Sequence, residues 1–196
     1  MRRRILDGTM QELHERGLKF TMDDLAKRLS MSKRTLYENF GSKEELIGSL
    51  LMEAVAEVQE KRQAIAGDIN LSISEKFKQM MTVGTTLWNE KTEHVIIDIK
   101  KSMPGQWQKL ENVKDELWVV IEDLIHQGVQ SGCFRPIFIP ALRAMFAGAF
   151  DEFSNYQFLL KNKVTMKEMV DYTIDILMFG MVTHKEQDNG IGRKSG

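Results

Sequence analysis

Apolar residues recur at three- and four-residue spacing along most of the chain, the period of a helix that buries one face. Leu6, Met10 and Leu13 form the first stripe, which stops at Gly17, a residue suited to the backbone just past a helix. A short segment follows with Met22, Leu25, Ala26 and Leu29. Thr21 precedes it and Asp24 sits three residues on, a variant of the capping box. Ser30-Met31-Ser32 interrupts the pattern, which resumes over residues 33–40 with Leu36 and Phe40 four apart. After Gly41-Ser42, Lys43 opens a long helix reaching residue 66. Further helices are predicted near 72–90, 92–102, 107–131, 138–161 and 165–184. In the fourth of these, Leu142, Phe146, Ala149, Phe153, Tyr156 and Leu160 make one continuous stripe. Val95, Ile96, Ile97 and Ile99 would also suit a short buried strand, but no hairpin signal or second strand offers a pair, so helix is preferred. Met166, Met169, Val170, Ile174, Leu177, Met178 and Met181 cover more than one face of the last helix, which must therefore be covered on two sides. The polar, Gly-containing stretch 185–196 is expected to be a disordered tail. The fold class is all-α.

Composition narrows the function classes. Of 196 residues, 42% are hydrophobic and 28% charged, a balance that supports a real core. The net charge of -1 argues against a uniformly basic binder. Cys133 is the one cysteine, which excludes an intramolecular disulfide and an all-cysteine zinc site and fits a reducing compartment. No apolar h-region follows Arg2, Arg3 and Arg4, and no apolar run approaches the roughly 20 residues that span a bilayer. A cytoplasmic location without a membrane partner is expected.

The segments 22–29 and 33–39, braced by 4–16, have the lengths and the short turn of a helix-turn-helix. Leu25, Ala26, Leu29, Met31 and Leu36 supply its small core, with Ala26 where two helices cross closely. Lys33, Arg34 and Thr35 open the second helix, the end such a motif points into the DNA major groove. Residues 1–50 hold ten Lys/Arg against eight Asp/Glu, so spacing carries this inference more than charge. Arg2 to Arg4 suit either a phosphate-contacting arm or a disordered terminus.

Thr21-x-x-x-Leu25-Ala26, then Met31-Ser32-Lys33-Arg34-Thr35-Leu36-Tyr37-x-x-Phe40-x-x-Lys43-Glu44-x-Leu46, resembles the DNA-binding domain of the tetracycline-repressor (TetR) family over residues 4–50. The segment Gly132-Cys133-Phe134-Arg135-Pro136 is similar to that family's entry into its dimerisation helices. Ser30 stands where the family usually has glycine, and Asn39 where it often has histidine. The resemblance implies a helix-turn-helix DNA-binding domain over 1–48 and a helical ligand-binding and dimerisation domain over 49–184. It implies a homodimeric repressor on a palindromic operator, released by a small-molecule inducer. The alternatives are an activator or ligand-independent regulator of the same fold. Carried over position by position, Thr21, Tyr37 and Lys43 would hold phosphates, helix starts favouring anions at the first and last. Ser32, Lys33, Arg34 and Thr35 would read bases, arginine or lysine on guanine and the threonine methyl on thymine. Asn39 can donate and accept where it faces DNA.

Beyond residue 67, Phe77, Met81, Trp88, Trp107, Trp118, Phe146 and Phe150 fall on predicted helices and are candidates to line an apolar ligand pocket, or else are ordinary core. Glu90, His94 and Asp98 share one helix face, and Glu122–His126 repeats the carboxylate–imidazole spacing. Such pairs are usually solvent-facing, so no metal site is expected. Cys133, between Gly132 and Phe134, has the setting of a helix exit rather than of an activated thiolate. No phosphate-cradling Gly-rich loop occurs, no cofactor is implied, and the reading of a helical enzyme has no motif behind it. The expected dimer contact runs through 138–161 and 165–184.

Overall fold

The computed structural model describes residues 1–84, 93–153 and 155–181, with side chains undescribed at 93, 94, 96, 114, 115 and 156. Trp88, Glu90, the His94 side chain and the tail 185–196 therefore lie outside the described residues. Among the described residues ten α-helices run in order: α1 (Arg2–Arg16), α2 (Met22–Arg28), α3 (Lys33–Asn39), α4 (Lys43–Gly67), α5 (Ile73–Val83), α6 (Glu93–Ser102), α7 (Pro104–Gln130), α8 (Ile139–Phe153), α9 (Tyr156–Asn162) and α10 (Met166–Met181). A short 3-10 turn, Gly17–Lys19, links α1 to α2. No strand occurs among the described residues, and Val95, Ile97 and Ile99 are buried on helix α6.

The helix ends follow local chemistry. Gly17 caps α1 at φ 59°, a conformation that costs glycine little. Thr21 and Asp24 form a reciprocal capping box on α2, as do Ser72 and Glu75 on α5. Pro104 is the first residue of α7, where its missing N–H has no helical partner to lose; this helix starts three residues earlier than its apolar stripe.

One expectation fails. The stripe predicting a single helix over 138–161 is divided between α8 and α9. Asn155 caps the new helix, its side-chain oxygen accepting from Gln157 N at 3.2 Å. The break shifts the phase, so Leu159 is buried and Leu160, expected on the apolar face, is exposed.

The chain divides into two compact units, Met1–Glu57 with Leu87–Lys114, and Val58–Thr86 with Asp115–Gly196. The divisions fall inside α4 and α7, and the expected boundary near residue 48 lies within the first unit's share of α4. In the first unit, Ile5, Leu13, Leu25, Leu36, Phe40 and Leu46 form one core, joined by Val95 and Ile99 from α6. Gly8 permits a close approach there, since a Cβ at that position would stand 2.7 Å from Leu29 Cδ2. The second unit is built on Phe77, Met80, Ile121, Phe134, Val170 and Ile174, all buried. No helix among the described residues is long and apolar enough to cross a membrane.

Candidate nucleic-acid interface

Helices α2 and α3 are joined by Leu29 to Ser32, and the turn is tight enough that Met31 N donates to Ala26 O at 3.0 Å. Ser30 takes φ 50°, one of two non-glycine residues with positive φ among those described. Ser32 caps α3, its hydroxyl accepting from Thr35 N at 3.0 Å and lying 2.9 Å from the Thr35 hydroxyl. Leu36 points inward and is fully buried. The opposite face of α3 then carries Lys33, Arg34 and Tyr37 outward, with the Arg34 side chain 89% exposed and Tyr37 49% exposed. Tyr37 is thus a surface side chain and not a core one.

Both cations on that face are paired within the protein. Lys33 Nζ binds Asp23 of α2, and Arg34 Nε reaches Glu38 Oε1 at 2.9 Å. Exposed pairs of this kind contribute about 0–1 kcal/mol, so a phosphate or base edge can replace the carboxylate at little cost. Asn39 is half-buried, and its side-chain amide donates to Thr35 O at 2.8 Å.

Two expected phosphate contacts are occupied internally. Thr21 Oγ1 donates to Asp24 Oδ2 at 2.7 Å and accepts from Asp24 N at 3.2 Å. These bonds from the Thr21 hydroxyl and backbone hold the Asp24 carboxyl below its usual range. Lys43 Nζ donates to the carbonyls of Leu18 and Phe20 and sits 4.4 Å from the Phe20 ring centre. Burial lowers the pKa of this ammonium.

Sequence reasoning missed the side chains that hold the motif in shape. Arg2, Arg3 and Arg4 are in α1, neither a free arm nor a disordered end. Arg2 donates to Asn39 O at 2.8 Å and stacks 4.1 Å over Phe40. Arg4 donates to Leu29 O at 2.6 Å. Each thus satisfies a carbonyl that a helix terminus leaves unpaired, at the ends of α3 and α2. Glu12, 1% exposed, accepts from Arg28 Nε at 2.6 Å, and Arg28 also pairs with Glu15. The Arg28 hydrogen bond in turn lowers the Glu15 carboxyl. Separations of 13 to 37 residues leave no periodic trace in the sequence.

The described candidate ligand residues are divided between the two units. Phe77 and Met81 are buried in the second unit, Phe77 edge-on to Phe134 at 5.9 Å between ring centres. Trp118 is half-buried, edge-on to Phe146 at 6.1 Å, with the Arg143 guanidinium 5.5 Å from its ring. Phe150 is half-buried on α8. Trp107 belongs to the first unit, where the Lys100 ammonium lies 5.6 Å from its ring. Glu122 pairs with Arg143 at 3.2 Å while His126 is exposed. No group of three metal-ligating side chains occurs among the described residues. Cys133 is buried with its sulfur 3.3 Å from the Ser74 hydroxyl.

Residues 5–50 match the model of the bacterial regulatory proteins of the tetR family. The chain is 29% identical over 191 residues to the uncharacterized HTH-type transcriptional regulator YvaF of Bacillus subtilis (strain 168), covering 96% of this chain and 99% of that one. Its fold is similar to a TetR transcription regulator from Haloarcula marismortui, with TM-score 0.76 at 13% identity, covering 93% of this chain and 98% of that one. It is also similar to the fatty acid degradation regulator FadR from Bacillus halodurans, with TM-score 0.68 at 19% identity, over 90% of this chain and 94% of that one. At such identities the two structures speak to fold alone.

Proposed function

We propose that this chain, whose residues 5–50 match the tetR family model and which is similar along its length to an HTH-type transcriptional regulator, is a DNA-binding regulator of the TetR family rather than an enzyme and acts in the cytoplasm as a homodimeric repressor. It would occupy a palindromic operator and leave it when a small-molecule effector binds the second unit. The observation carrying the dimer is a row of exposed apolar side chains on α10. Tyr172, Ile176 and Phe179 are 58%, 72% and 78% exposed, and on or beside α8 Phe138 and Met145 are 75% and 62% exposed. Covering side chains of this size stabilises an assembly by about 1.5–3 kcal/mol each before the costs of association. A two-fold pairing of α8 and α10 would make a four-helix bundle and present two copies of α3 to successive major grooves, about one helical turn apart. Thr21, Ser32, Lys33, Arg34, Thr35, Tyr37, Asn39 and Lys43 remain the proposed contact set, with Thr21, Ser32, Lys33, Arg34 and Tyr37 exposed. Because α4 and α7 each supply residues to both units, a change in the second unit has a covalent route to the first. Release requires an effector that favours the non-binding state by its own differential affinity.

Selection of genomic DNA fragments by the full-length protein tests this reading. The expected yield is a palindrome bound by two chains, as measured by sedimentation with labelled duplex. Fragments without two-fold symmetry, bound by one chain, would refute the dimeric reader. A small molecule that releases operator must lose affinity by the same factor when operator is saturating.

A further inference from the structure

Arg62 stands on α4 in a polar run, Glu60-Lys61-Arg62-Gln63, and belongs to the second unit. Its side chain turns inward. Nε donates to Met80 O of α5 at 3.0 Å and Nη1 to Leu117 O of α7 at 2.9 Å. Neither partner is charged, and among the described residues no carboxylate pairs with it. Burial without a counter-charge pushes its pKa down to about 10. A guanidinium carries five N–H donors, so two backbone acceptors leave three unused, including both on Nη2. That nitrogen borders Gly84 at the end of α5. A Cβ built on Gly84 would meet Arg62 Nη2 at 3.7 Å, an ordinary van der Waals contact.

A partly buried cation lacking a counter-ion is held at a cost that an anion would remove. Arginine is suited to the task, since its planar fork matches the two oxygens of a carboxylate or phosphate. We propose that Arg62 is the anchor for an anionic oxygen head group, carboxylate or phosphate, on an effector whose apolar body packs against the second unit's apolar side chains. This proposal rests on the ligand-released reading and gives that ligand a chemical class, an amphipathic acid. A purely structural Arg62 would tie Met80 O to Leu117 O and ask nothing of Nη2.

The full-length protein is titrated calorimetrically with decanoate, decyl phosphate and 1-decanol, all below micellar concentration, with operator retention followed in parallel. At least one charged head should bind ten-fold or more tightly than decanol, and the better of the two identifies carboxylate or phosphate. Arg62→Met should remove that preference while leaving decanol within about two-fold. Gly84→Ala keeps the charge and an ordinary helical backbone, and should weaken the charged probe several-fold; it carries the test should Arg62→Met fail to fold. Equal binding of charged and neutral heads, no binding of any probe, or a head preference that survives both variants would overturn the proposal. An anion that binds through Arg62 yet leaves operator occupancy unchanged would support the site and refute ligand release. Release by decanol with no head preference would do the reverse.

Discussion

Replacing Ser30 with glycine should stabilise the protein by about 0.5–1 kcal/mol, the left-handed cost of serine less the added chain entropy of glycine. Ser30 closes the turn between α2 and α3 at φ 50°, donating to Lys27 O at 3.1 Å. A side chain in that region costs about 1–2 kcal/mol relative to its ordinary backbone conformations. Glycine avoids the cost but loses about 0.4–1 kcal/mol through the greater freedom of its unfolded chain. Ser30 is exposed, so no packing is lost. For a chain of this size such a gain raises Tm by about 1–4 °C. Because the chain forms two units, a single melt need not be two-state. Hydrogen exchange at the amides of Leu25 and Leu36 therefore reads the first unit directly, and their protection should rise several-fold. Ser30→Ala keeps the strained φ and should stay within about 0.5 kcal/mol of the parent. Equal stabilisation by alanine, or none by glycine, would refute the argument from backbone conformation.

Lys43→Ala should lower the salt slope of DNA binding by about one unit. It should also destabilise the first unit by about 1–3 kcal/mol, because the carbonyls of Leu18 and Phe20 lose their donor; unchanged urea unfolding would contradict that second role. Ile176→Glu or Phe179→Glu should yield folded monomers in sedimentation, whereas Met181→Glu places its charge at a position only 3% exposed and should unfold the protomer; a dimer surviving the first two would refute the α10 contact. The Asp24 carboxyl lies below its usual range when folded, so its contribution to stability is present above the unfolded value of about 3.9 and is lost as pH falls through the folded one. Asp24→Asn should flatten that acid limb in a pH series of melts, and an unchanged limb would remove the capping box as its cause.

Features written within one or two turns were readable in the sequence. Gly17, the Thr21–Asp24 box and the Ser30–Ser32 interruption each bound a helix through local backbone chemistry, and the structure bears out those ends. The break between α8 and α9 was not readable, because Phe153, Tyr156 and Leu160 keep helical spacing across it and only Asn155 marks the new start. On α10 the apolar run from Met166 to Met181 leaves out Tyr172, Ile176 and Phe179, whose spacing of four and three is equally helical. For the interface, Lys33, Arg34 and Tyr37 follow from their register against buried Leu36. Arg34–Glu38 was open to an i,i+4 reading, but Lys33–Asp23 was not, and Lys43 on Leu18 and Phe20 depends on the packing of distant segments. Arg62 gave no signal at all, since an arginine in a polar run looks like any solvated position.

The central claim is that α3 reads base sequence through its exposed first turn. The direct measurement is the affinity of the wild type and of Arg34→Ala for the selected operator and for each single-base variant of one half-site, at one fixed salt concentration. The account predicts that the wild type loses about 1–3 kcal/mol at one position that Arg34→Ala no longer distinguishes, while preferences elsewhere persist. If Arg34→Ala keeps the wild-type affinity and the same preference at every position, the assignment of α3 as the reading helix is wrong.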